Sequence, residues 1–130
     1  MTPLQIQRLL ACVFLGLGGW ALLFPAHVLS IGIRPEINSG DIVSTVLMGC
    51  FGAQAVLGGT VMLLSRFIRR TFLVFGVLGS VPFFVFNYYF VFVEPVFSNW
   101  MLLDFAGNIA ILTLCLMGYL GMRKSGQETT

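Results

Sequence analysis

Residues 42–64 read IVSTVLMGCFGAQAVLGGTVMLL, with Asp41 before them and Ser65-Arg66 after. This is an uninterrupted apolar run with no charge in it. At 1.5 Å per residue, a helix of this length crosses a hydrocarbon core about 30 Å thick. Three more runs of the same kind flank it. One covers residues 9–24, reaches back to about residue 4, and stops at Pro25. Another runs from Phe72 to Val93 between Arg70 and Glu94, and the last from about Asn99 to Leu120 before Arg123. The expectation is an all-α, integral membrane four-helix bundle forming a single domain, with spans at about 4–24, 42–65, 71–93 and 99–121. A barrel is disfavoured, because barrel strands alternate in polarity over about 10 residues and these runs do not.

Composition agrees. The chain has 130 residues, of which 58% are hydrophobic and 9% charged. Soluble domains carry about 25% charged residues. Four spans of about 20 residues use roughly 80, which leaves only loops and tails. A soluble enzyme, a disordered tail, a coiled coil and a secreted disulfide scaffold are excluded on these grounds. The first run is not read as a cleaved signal peptide, because Phe24 is too bulky for the position three before a cut after Ala26.

The cations predict orientation. Arg8, Arg66, Arg69, Arg70, Arg123 and Lys124 fall at one end of the helices and only Arg34 at the other. The positive-inside rule then places both termini in the cytoplasm of a multi-pass cell-membrane protein. The acids Glu36, Asp41, Glu94 and Asp104 gather opposite. The net charge of +2 is thus topological, and a nucleic-acid partner is not expected.

The expected partners are the lipid bilayer and other membrane subunits, or a second copy, meeting small-residue helix faces. Such faces are frequent: Gly49 and Ala53, Ala55 and Gly59, and Gly76 and Ser80 stand four apart. The two short loops predict that spans two, three and four are antiparallel neighbours. The first loop, 25–41, is semi-apolar and is expected to lie along the outer interface or fold back over the bundle.

Polar groups at membrane depth are functional candidates by default. Asp104 and Asn108 share a face of span four. Ser80, Asn87 and Glu94, seven apart, share one on span three. Gln54 lies near the middle of span two. Asp104, Asn108, Asn87 and Glu94, with Gln54, form a candidate ion or proton cluster, and the bland alternative is hydrogen-bonded helix glue. Span three also carries Phe83, Phe84, Phe86, Tyr88, Tyr89 and Phe90 after Pro82. They read either as lipid contact plus an aromatic belt or as a groove for a lipid, quinone or pigment.

No enzyme motif is found, no metal site and no cofactor are expected, and no catalytic residue is assigned. Cys12, Cys50 and Cys115 lie on different spans without a close pair, which argues against thiol exchange. Three functions remain: an accessory or structural subunit of a larger membrane complex, a homo-oligomeric transporter or channel for a proton, ion or small solute, and a binder of an apolar ligand.

Gly18-Gly19-Trp20-Ala21-Leu22-Leu23-Phe24-Pro25 closing span one, the semi-apolar loop, the small-residue span two and the turn Arg66-Phe67-Ile68-Arg69-Arg70 together resemble the small four-span DoxX-like bacterial membrane proteins. The likeness lies in layout over the first half of the chain. It implies a bacterial inner-membrane protein, in a group where some members accompany quinone-linked oxidoreductases, and it transfers no functional residue.

Overall fold

A computed structural model describes residues 1–124; the side chain of Lys124 lies outside the described residues. Five helices appear: α1 Pro3–Leu23, α2 Pro25–Gly32, α3 Ile42–Leu64, α4 Arg69–Tyr88 and α5 Met101–Lys124. A π-helical turn, Tyr89–Val93, prolongs α4. Four of these helices are long and apolar enough to cross a membrane. Among the described residues there is no strand, only an isolated antiparallel bridge between Ile33 and Phe97.

Local chemistry sets the boundaries. Thr2 and Gln5 form a reciprocal capping box at the start of α1, with Pro3 at the first helical position. Pro25 disfavours helical geometry at Phe24, which has φ −132°, and then itself opens α2. Asp41 caps α3 by accepting from the Ser44 amide at 2.8 Å. Hydrogen bonds from the Ser39 hydroxyl, and then from the Ser44 amide and hydroxyl, lower the pKa of Asp41 to about 2, so the cap stays charged.

Two antiparallel pairs build the bundle: α1 with α3, and α4 with α5. A third contact, α1 with α5, joins them. Glycine makes the first pair close. A Cβ on Gly52 would overlap the Leu22 and Ala21 backbone, and one on Gly59 would stand 2.8 Å from Leu15 Cγ. In the second pair, Gly76 packs against Cys115, and Gly118 against the Phe72 ring. Most of the core, including Ile6, Leu10, Ala11, Met62, Phe72, Cys115 and Met122, lies toward the arginine-rich end.

The expected neighbourhood of spans two and three needs correction. α3 and α4 follow each other through a short turn, yet they do not form a packed pair. Their rings meet only at Phe51 and Phe83, with centroids 6.5 Å apart. Phe14 of α1 stands in the way: it lies against Gly58 of α3 and meets the Phe75 ring of α4 at a tilt, with centroids 5.3 Å apart. A short turn ties helix ends together, but the fit of side chains decides which faces touch.

At the opposite end, the first long connection folds back over the bundle. Its α2 segment packs on α3. Beyond it, Arg34 donates its amide to the Val96 carbonyl and its Nε to the Phe97 carbonyl, both at 3.0 Å. The Ser98 amide and hydroxyl reach Gly32 and Ile31 in return.

Candidate polar site between α4 and α5

Asn87 closes the last α-helical turn of α4, and Asp104 belongs to the first turn of α5. The antiparallel α4–α5 contact sets them side by side. Asn87 Nδ2 donates to Asp104 Oδ2 at 2.8 Å. Asn108, one turn further along α5, donates Nδ2 to the same oxygen at 2.9 Å and to the Asp104 carbonyl at 2.8 Å. Asn87 and Asn108 are buried, while Asp104 is half-buried. No cation of the described residues forms an ion pair with Asp104. Two amide donors and the positive end of the α5 dipole are what balance its carboxylate.

Asn87 Oδ1 is buried without a hydrogen-bond partner, and so is the Ser80 hydroxyl two turns earlier on α4. Half a turn of the Asn87 amide would put Oδ1 where Nδ2 stands. The pair can therefore face a carboxylate as donor or a carboxylic acid as acceptor.

Three of the five polar candidates are thus brought together, and two are not. Glu94 is exposed and takes no part. The π turn explains this: the Glu94 amide bonds the Tyr89 carbonyl, five residues back, at 2.9 Å. One residue more than an α turn is wound in, so the seven-residue spacing from Asn87 no longer returns to the same face. Gln54 is exposed on α3 and makes no hydrogen bond within the described residues.

The aromatic candidates are spread around α4. Phe84 packs on Phe105 at 5.1 Å, Phe83 meets Phe51, and Phe90 packs on Phe97 at 5.3 Å. Phe86, Tyr88 and Tyr89 are exposed. Among the described residues no group of three or more His, Cys, Asp or Glu could hold a metal ion. Cys12, Cys50 and Cys115 are free thiols.

Two polar contacts escaped the sequence reading. Gln7 is buried at 3% exposure and donates Nε2 to the Met62 and Ser65 carbonyls, while its Oε1 accepts from the Phe67 amide at 2.9 Å. Its signal was spacing: Gln7 shares a helix face with Leu10, Ala11 and Phe14. Arg69, read only as a topological charge, donates Nη2 to the Tyr119 hydroxyl at 2.8 Å and lies 4.3 Å from that ring's centre.

Comparison with known proteins gives no relative: no family model, no curated protein and no solved structure matches the chain.

Proposed function

We propose that the protein is an integral membrane protein with both termini cytoplasmic, serving as an accessory or structural subunit of a larger membrane complex. The observation that carries this reading is the placement of polar side chains along the apolar helices. Gln7 holds α1 to the turn after α3, and Asn87 and Asn108 hold Asp104 between α4 and α5. Thr60 and Thr113 fold back onto the carbonyls of Val56 and Ile109. The amides fasten helices to one another, and the threonines are satisfied within their own helices. The remaining mid-helix amide, Gln54, faces outward, where a neighbouring chain would stand. The DoxX-like layout of the first half points to a bacterial inner membrane. Purification in mild detergents is expected to co-isolate foreign subunits in fixed stoichiometry. Recovery of this chain alone, in several detergents, would overturn the reading.

A second reading, a proton or ion conduit, is favoured by one observation. Asp104 is a carboxylate without a cation partner, beside a buried acceptor on Asn87 that has no donor. A polar group of this kind on an apolar helix suits the lining of such a conduit. Proteoliposome flux abolished by Asp104→Asn would support it, and unchanged flux would sink it.

A further inference from the structure

The outward face of α3 has a regularity of its own. Leu47, Cys50, Gln54, Leu57, Val61 and Leu64 follow one another at alternating spacings of three and four. All six are exposed. This is the 3.5-residue repeat of a coiled-coil seam, in which apolar side chains pack knobs-into-holes with a parallel partner. The face lies opposite the one that packs on α1: Gly52 and Gly59 each stand two residues from Gln54 and Val61, about 200° round the helix.

Gln54 distinguishes this seam from an ordinary lipid-facing stripe. It is the thirteenth of the 23 residues of α3 and would sit about 15 Å from either edge of the hydrocarbon. Its amide is too deep to reach water, and lipid tails offer neither donor nor acceptor. The exposed threonines Thr60 and Thr113 meet the same difficulty by bonding their own helix at 2.8 Å. Gln54 does not. Chains inserted in one orientation bring Gln54 to the same depth in each copy. An amide carries a donor and an acceptor, so its partial charges are complementary to a second copy of itself across a two-fold axis. A polar residue at one seam position is also the usual device for fixing register and oligomer state.

We infer that α3 is a homodimer seam, in which Gln54 of one copy pairs with Gln54 of another across a two-fold axis along the membrane normal. This rests on the membrane-assembly reading and deepens it by naming one partner, a second copy of this chain.

Cys50, one turn before Gln54 on the same seam, makes the test direct. The protein in its native membranes is oxidised with a lipid-soluble copper(II)–phenanthroline complex: two copper(II) ions take the two electrons of a thiol pair as the S–S bond forms, and the two thiol protons pass to the buffer. A disulfide dimer is expected in the native chain and in Cys12→Ser, and its loss in Cys50→Ser. In the Cys50→Ser background, Val85→Cys on exposed α4 serves as a collision control and should give no dimer. Dilution in detergent micelles should then show Gln54→Leu dissociating about tenfold more readily, with helical content unchanged. The inference is overturned if Cys50 forms no dimer, if Val85→Cys cross-links as well, or if Gln54→Leu dimerises like the native chain. Foreign subunits co-isolating without a Cys50 dimer would overturn the seam and leave the complex standing. A Cys50 dimer with no foreign subunit would do the reverse.

Discussion

Gly52→Ala is expected to destabilise the protein by about 2–4 kcal/mol, although alanine favours helix by about 1 kcal/mol over glycine. The added Cβ would meet the Leu22 amide nitrogen, with Ala21 C and Gly18 O at 2.7 Å. All of these are backbone atoms of α1, which no side-chain rotation can clear. Relief requires α1 and α3 to move apart along the seam where Gly18 and Gly59 are also in close contact. Gly49→Ala is the matched control, because nothing lies within 4 Å of its Cβ position. With only the helix preference of alanine at work there, it should leave the protein unchanged or up to about 1 kcal/mol more stable. Detergent-titrated unfolding followed by circular dichroism measures both. Equal losses would show that the seam is not held by close backbone approach.

Gln7→Leu is expected to destabilise by about 2–4 kcal/mol for a different reason. The leucine fills similar space but leaves the carbonyls of Met62 and Ser65 and the amide of Phe67 without their partner. The Met62 carbonyl lies in the last turn of α3, and Ser65 and Phe67 belong to the turn that leads to α4, at a point where Gln7 itself is 3% exposed. Hydrogen exchange gives a local reading: the Phe67 amide should lose protection in the variant. Arg8→Gln, at the exposed neighbouring position, should change stability by less than about 0.5 kcal/mol. If the Phe67 amide stayed protected in Gln7→Leu, the proposed fastening would be wrong.

The two variants probe parts of the molecule that differ in legibility. The four long helices could be read from the sequence because length and continuous apolarity decide them without reference to any neighbour. Their ends could be read because Pro25, Asp41 and the arginines act locally. Which helices touch could not. That α1 parts α3 from α4 depends on the fit of Phe14 between Gly58 and Phe75, and no periodicity encodes it. Asn87, Asp104 and Asn108 were predicted as neighbours because helical spacing carried two of them and the antiparallel hairpin the third. Glu94 fell outside because the π turn at Tyr89–Val93 winds in an extra residue. Gln7 was overlooked because a glutamine beside Arg8 looks like the polar edge of a span. Gln54 fell outside because α3 packs on α1 and not on the α4–α5 pair that holds the cluster.

The contact between α1 and α5 sets a timetable for biogenesis. The chain closes as two hairpins, and the helix made first touches the helix made last. Until α5 is made, the flank of α1 around Pro3 has no Gly121 to meet. The first hairpin, with its glycine seam, is complete once α3 has emerged. The second must be synthesised whole before it can dock. A chain of which only residues 1–68 have emerged would therefore hold a finished first hairpin, with the flank of α1 that α5 later covers still open.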